Sequence, residues 1–385
     1  MKIGIDAVNI RSGGGVTHLL ELLSCIDSLG GFFDSVVVWG TESTLHVLSD
    51  RPWLIKRHPA MLERGFLART LWQFFYLSKA ARREQCSVLL VPGGSYVGTF
   101  QPVIVMSQNL LPFEFFELKR YGWSLFTIKL LILRQIQSLS FKRADGVIFL
   151  SEYARNKIMS VTGKFQGVTR VIPHGVNPRF FKPPKSQREC NVRSNSCPLR
   201  LLYVSTVDLY KHQWNVVEAV SLLRNRGTLV ELDLIGSANL KALKKLELKI
   251  ASIPSAKDWV NYYGEVSFER LHDFYAAADL GIFASSCENM PNILLEMMAS
   301  GLPIACSNKG PMMDILGDAG EYFNPESASE IEDALLKLLK EPKLREKMAM
   351  ESFKKSRLYS WDNCALDTLL FMSAFIKKDE KNVCK

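Results

Sequence analysis

The sequence lacks several patterns that would have named a function class outright. It contains 8 cysteines but no C-x-x-C pair. Cys190 and Cys197 are the one close pair, and they fall in a polar segment. No Cys or His cluster has ligand spacing, so no metal site is expected. No uninterrupted apolar run approaches the ~20 residues that cross a bilayer as a helix. The start, MKIGIDAVNI, carries one basic residue and an early acid at Asp6, unlike a secretory leader. Together these absences read as a reduced, cytosolic protein with free thiols. Gly13, Gly14 and Gly15 are not spaced as G-x-G-x-x-G, so a dinucleotide oxidoreductase fits badly. There is no repeat of solenoid period, no low-complexity tract and no recognised nucleic-acid module.

What is present is a chain of 385 residues with ordinary soluble-enzyme hydrophobicity, long enough for two domains. The net charge of +9 is unevenly spread. Residues 1–180 hold 21 Lys and Arg against 12 Asp and Glu, whereas residues 181–385 hold 27 of each. The excess in the first half suits an anionic surface, or is simply a solvated basic face.

Short β-branched runs alternate with longer helical patterns. In the first half the predicted strands are Ile3–Ala7, Val36–Trp39, Val88–Val91, Val103–Met106, Val147–Leu150 and Arg170–Ile172. Thr17–Ser28 and Leu67–Arg83 read as amphipathic helices between them. KPPKSQRECNVRSNSCP, residues 182–198, breaks the pattern as a connection rich in Pro, Ser and charge. The alternation then restarts through strands at Leu201–Val204, Val230–Ile235, Trp259–Tyr263, Leu280–Phe283, Ile304–Cys306 and Tyr322–Phe323. Strand–helix alternation implies parallel sheets covered by helices, here two doubly wound domains facing across a cleft. The expected division is 1–180, a linker at 181–198, 199–358, and a final segment at 359–385.

CENMPNILLE, residues 287–296, follows one predicted strand and precedes another, so it belongs to a strand–helix–strand unit. Pro291 suits a helix start, and Gly301 with Pro303 marks the stop. Glu288 then lies in the loop and Glu296 inside a helix flanked by Leu294, Leu295, Met297 and Met298. A carboxylate in so apolar a helix needs a donor, such as a ligand diol, unless it sits at an exposed edge. Amides at the helix start near Asn292 and Ile293 suit a phosphate.

From Glu288 to Ile304 the chain resembles the E-x7-E motif of the retaining glycosyltransferases of family 4, which have the GT-B fold. Pro291 stands where the family has a glycine. Other stretches are similar too: SGGGVTH (12–18), FLSEYAR (149–155), VIPHGVNP (171–178), YGEVS (263–267) and YSWDNCA (359–365). In the family the last of these starts a helix that crosses back to the first domain.

The resemblance implies a nucleoside diphosphate sugar donor, such as GDP-mannose or a UDP-sugar, and a hydroxyl acceptor on a glycan or lipid-linked glycan. It implies retention of configuration and a reaction without metal or cofactor, in keeping with the lack of a D-x-D pair. Bacterial members often build O-antigen or other envelope polysaccharide. By the same resemblance Glu288 holds sugar hydroxyls, Glu296 the ribose, and Lys211 the diphosphate. Asn289, Met290, Pro291, Asn292 and Ile293 line the donor, with Thr206, Glu265 and Val266 beside it. The family commonly has an Arg where Thr206 stands, and a His-Asp pair where Gln108 and Asn109 stand. Amides there can hydrogen-bond but not transfer protons. Gly14, Gly15, His18, Gln108, Asn109 and His174 are the expected acceptor-side residues, although a lone His is more often structural. Another GT-B activity, such as a sugar-nucleotide epimerase, or a non-catalytic sugar-nucleotide binder are the competing readings; nucleic acid is not an expected partner.

Residues 121–143, YGWSLFTIKLLILRQIQSLSFKR, are apolar with Lys129, Arg134, Lys142 and Arg143 among them. They read either as a core helix or as a helix lying on an anionic membrane, which would make the protein peripheral on the inner face.

Overall fold

The computed structural model describes residues 1–11, 13–26, 33–187 and 198–376. Ser12, Asp27 and Ser28, Cys190, Cys197, most of the expected linker and the end of the 359–385 segment lie outside them. The chain forms two compact units. The first comprises Met1–Phe115, Trp123–Gly175 and the chain from Trp361; the second comprises Phe116–Gly122 and Val176–Ser360.

The first unit is built on strands β1 (Lys2–Asp6), β2 (Ser35–Trp39), β3 (Leu54–Arg57), β4 (Val88–Val91), β5 (Val103–Ser107), β6 (Gly146–Phe149) and β7 (Val168–Val171). Their order is β3-β2-β1-β4-β5-β6-β7, and every pairing is parallel. The strands β4, β5 and β6 are buried at every residue, which is why they read as unbroken apolar runs. Strand β3 is absent from the sequence-based assignment. Its residues LIKR form a half-exposed edge strand, and only two of them are apolar. The helix Trp361–Ser373 packs on the helix Gly14–Ile26 of this unit.

The second unit contains β8 (Leu199–Val204), β9 (Val230–Ile235), β10 (Val260–Tyr262), β11 (Leu280–Phe283), β12 (Ile304–Ser307) and β13 (Glu321–Phe323). Their order is β10-β9-β8-β11-β12-β13, again parallel throughout. The chain already packs with this unit from Val176, ahead of the expected linker. Lys182 N–H donates to the Ala299 carbonyl at 2.9 Å and Lys185 Nζ to the Ala278 carbonyl at 2.8 Å. In a parallel sheet all strands end at the same edge, so the loops after β8, β9, β10, β11 and β12 emerge side by side.

Candidate active site

Leu280–Phe283 is wholly buried, and the loop that follows it leads into the helix Asn292–Ala299. Pro291 caps that helix rather than occupying its first turn. The helix stops at Gly301, whose φ is +64°. A Cβ there would lie 2.6 Å from Pro184 N and 2.7 Å from the Lys182 carbonyl oxygen, so glycine is required for both conformation and space.

The loops after β8 and β11 are stitched together. Ser286 N–H donates to the Tyr210 carbonyl at 2.8 Å, and Ser286 Oγ lies 2.9 Å from His212 Nε2. The Tyr203 hydroxyl donates to the Lys211 carbonyl at 2.7 Å. Across this seam the Lys211 ammonium is paired with the Glu288 carboxylate, both side chains being mostly buried. The ammonium also lies 5.1 Å from the Tyr210 ring centre and 5.5 Å from that of Phe283, a cation–π setting. Burial, and then the Glu288 charge, push the Tyr203 and Tyr210 hydroxyls well above the usual tyrosine range. These phenols stay neutral and can donate hydrogen bonds.

Asn289, Met290 and Pro291 are buried, while Asn292 and Ile293 are half-buried at the helix start. The Asn292 N–H donates to the Met290 carbonyl at 3.1 Å, so that amide is not simply free for an anion. Glu296 is buried, and the Tyr275 hydroxyl donates to its Oε2 at 2.9 Å. Burial raises its pKa to about 8, against the Tyr275 hydrogen bond and the positive charge of Arg179. Tyr275 is thus one donor to a carboxyl that so apolar a helix could not otherwise hold, and it engages one of the two oxygens.

Thr206 is exposed, with Oγ1 3.4 Å from Ser237 Oγ and its carbonyl accepting from Gln213 Nε2 at 3.0 Å. Glu265 and Val266 lie in the loop after β10, which Gly236 N–H joins through the Gly264 carbonyl at 2.8 Å. The predicted donor residues therefore share one edge of the second sheet.

Two contributions were invisible in the sequence. Residues 116–122 pack with the second unit, where the Tyr121 hydroxyl donates to Asp208 Oδ1 at 2.7 Å. Arg120 bridges Glu117 and Glu326, at 2.7 Å to each. Burial, then the Arg120 charge, depress the His212 pKa to about 4. No local spacing pattern marks Asp208 as the partner of Tyr121 or Glu326 as that of Arg120, and Arg179 and Tyr275 are likewise remote in sequence from Glu296.

In the first unit, Gly14 and Gly15 open the helix after β1. A Cβ on Gly15 would lie 3.1 Å from Gln108 Oε1, so this glycine admits the Gln108 amide. Asn109 Oδ1 accepts from Leu111 N–H at 3.1 Å and closes a turn. His18 corrects its sequence reading as a polar cleft group. It is fully buried, its ring stacked on His174 at 4.9 Å and tilted against Trp361 at 5.9 Å. Burial, then His174, hold its pKa well below the usual range, so it packs as a neutral ring.

Comparison with known proteins agrees with this architecture. Residues 191–355 match the family model described as "Glycosyl transferases group 1". Over 234 residues the chain is 27% identical to the O-antigen chain mannosyltransferase B of Escherichia coli, an alignment covering 60% of this chain and 61% of that protein. The matched part thus spans less than two thirds of that relative's length. Among solved structures, the sucrose-phosphate synthase of Thermosynechococcus elongatus superposes with a TM-score of 0.76 at 17% identity, over 97% of this chain and 99% of that one. Anabaena HepE in complex with UDP-glucose superposes with a TM-score of 0.72 at 14% identity, over 97% and 100% of the two chains. The fold is GT-B, and the chain is related to glycosyltransferases of that fold.

Proposed function

We propose that this GT-B relative of glycosyltransferases moves a sugar from a nucleoside diphosphate sugar to a hydroxyl of a glycan or lipid-linked glycan, with retention of configuration and without a metal. The reading rests on one observation above all: the Lys211–Glu288 pair at the edge where the loops after β8 and β11 meet, directly before the helix Asn292–Ala299. Transfer builds negative charge on the departing diphosphate. A preplaced ammonium stabilises that charge strongly in a site from which water is largely excluded. Lys211 then turns from Glu288 to the diphosphate, and Glu288 is released to accept hydrogen bonds from the donor sugar. Glu296 receives the ribose hydroxyls, and residues 289–293 line the sugar and phosphate.

The acceptor side is assigned to Gly14, Gly15, Gln108 and Asn109, where amides and backbone can orient a hydroxyl. Envelope polysaccharide synthesis is the setting we favour, with GDP-mannose or a UDP-sugar as donor. The matched mannosyltransferase is an O-antigen enzyme by name, and HepE was solved with UDP-glucose. Association with an anionic membrane is supported by the helix Leu125–Arg143, which buries only Leu130, Gln137, Ser140 and Phe141 and leaves Leu125, Ile128 and Ile132 exposed. Trp123, just before it, is fully exposed. Among the described residues no helix is long and apolar enough to cross a membrane.

The test is incubation with a panel of nucleotide sugars and a membrane extract, with Glu288→Gln and Lys211→Ala alongside. Sugar transfer by the parent protein, strongly slowed in both variants, is the expected outcome. Absence of both transfer and nucleotide binding across the panel would sink the proposal.

A further inference from the structure

The sequence reads Leu67–Arg83 as one helix, but the fold divides it. Helical turns at Phe66–Trp72 and Ser78–Arg83 are joined by a π-helical turn at Gln73–Leu77. Such a turn re-aims side chains and is frequent at functional sites. Here Gln73 points inward, donating from Nε2 to Asp6 Oδ2 at 2.5 Å and accepting from Asn9 Nδ2 at 2.9 Å. Trp72 and Tyr76, on either side of it, line a groove of about 470 Å³ that β2 and β3 close through Trp39 and Arg57. Lys79 and Arg83 continue the same helical face into the groove.

The charges of the groove are not all spoken for. Glu84 is held by both Arg57 at 2.7 Å and Lys2 at 2.9 Å, and His58 is paired with Glu63 at 2.9 Å. Among the described residues, the side chains of Lys79 and Arg83 have no ionic or hydrogen-bonded partner, so the lining keeps two uncompensated cations. Beneath them lie the nearly buried rings of Trp39 and Trp72, and Tyr76 forms a half-exposed wall. Aromatic rings with a polar tip offer a flat apolar surface beside hydrogen-bonding groups, and paired cations recognise phosphate oxygens.

We propose that this groove in the first unit is a binding site for a phosphorylated sugar or polyol, its ring against Tyr76 and its phosphate on Lys79 and Arg83. The site uses none of the residues assigned to donor or acceptor above. Two sources share that chemistry: a soluble sugar phosphate, or a phosphorylated headgroup within a lipid surface. Leu71, Phe74 and Phe75, exposed on the outward side of the same segment, keep the second source in view.

The experiment measures binding of glucose 6-phosphate, glucose and inorganic phosphate by calorimetry, and binding of phosphatidylinositol and phosphatidylcholine vesicles by sedimentation. The parent chain is compared with K79A/R83A and with Y76A, all exposed positions, after each variant's melting temperature and UDP binding are checked. Soluble origin predicts glucose 6-phosphate binding at least tenfold tighter than glucose or phosphate, lost in K79A/R83A and weakened in Y76A. Lipid origin predicts preference for phosphatidylinositol vesicles with the same losses. Binding of neither probe, binding that survives both variants, or inorganic phosphate matching the sugar phosphate would overturn the proposal. Because UDP binding is read on the same samples, failure of the groove is separable from failure of the donor site.

Discussion

The Glu296 carboxyl and the Tyr275 hydroxyl meet at 2.9 Å inside apolar surroundings, and the carboxyl keeps its proton up to about pH 8. A carboxyl whose folded pKa lies above its ordinary value of 4.5 is bound to more protons folded than unfolded between the two values. Its contribution to stability is therefore full below the ordinary value and is lost as pH rises toward about 8. Glu296→Gln, a neutral mimic of the protonated acid, is expected to melt like the parent near pH 5. Near pH 8 it should melt higher, by a free energy that grows at about 1.4 kcal/mol per pH unit across the window. Equal melting temperatures at both pH values would remove Glu296 as the titrating group.

The same protonation bears on the donor. Ribose hydroxyls donate to an acid residue best when it is ionised, so nucleotide binding should release a proton from Glu296. Affinity for UDP or GDP is expected to rise up to about tenfold per pH unit between pH 6 and 8. In Glu296→Gln the affinity should be weaker and flat across that range. Calorimetry in buffers of different ionisation heat reads both the affinity and the proton released.

How much of this was readable beforehand depends on how far apart the partners lie. The E-x7-E stretch was legible because its loop, helix and stop are contiguous, and Gly301 does stop the helix with φ +64°. The buried central strands were legible because they are apolar on both faces. Strand β3 was not, since an edge strand with Lys56 and Arg57 carries no burial signal. Tyr275 as the donor to Glu296 could not be read, because only the packing of two separate helices brings them together. Nor could Tyr121 on Asp208, where a short piece of the first half joins the second unit. The π-helical turn at Gln73–Leu77 keeps helical periodicity nearly intact, so the pattern passes over it.

Lys211 and Glu288 neutralise each other, so removing one partner leaves the other charged and mostly buried. Lys211→Ala should lower the transfer rate by roughly 10²–10³, as loss of a preorganised charge stabiliser does. It should also weaken UDP binding. Glu288→Gln should lower the rate while leaving Lys211 free to bind diphosphate, so UDP affinity is kept or raised. Parallel rate and binding measurements separate the two residues; equal losses of UDP binding would contradict the division of roles.

Tyr121 reaches the loop that carries Lys211. Asp208 accepts from the Tyr121 hydroxyl, and its carbonyl accepts from Lys211 N–H at 3.0 Å. Tyr121→Phe removes one hydrogen bond to a charged acceptor, a loss of at most about 1.5–3 kcal/mol, because Asp208 is half-buried and its Oδ1 keeps the Leu209 N–H at 2.6 Å. The expected result is a modest fall in melting temperature with a larger proportional fall in UDP affinity. A fall in stability alone, with UDP affinity intact, would make the contact purely structural.

Gly301 offers the sharpest structural test. Alanine there must hold φ near +64° and place a Cβ 2.6 Å from Pro184 N, against backbone that cannot swing aside as a side chain would. Gly13 has nearly the same φ, +66°, but a Cβ there meets nothing within 4 Å. Gly13→Ala therefore pays the conformational term alone, about 1–2 kcal/mol for a left-handed residue. Gly301→Ala carries the steric clash as well, so it should destabilise by clearly more. It should also displace residues 182–184 from the end of the helix that bears Glu296, so UDP affinity is expected to fall with it. Urea unfolding of the two variants beside the parent measures the difference. Equal destabilisation would mean that the contact with residues 182–184 yields without cost.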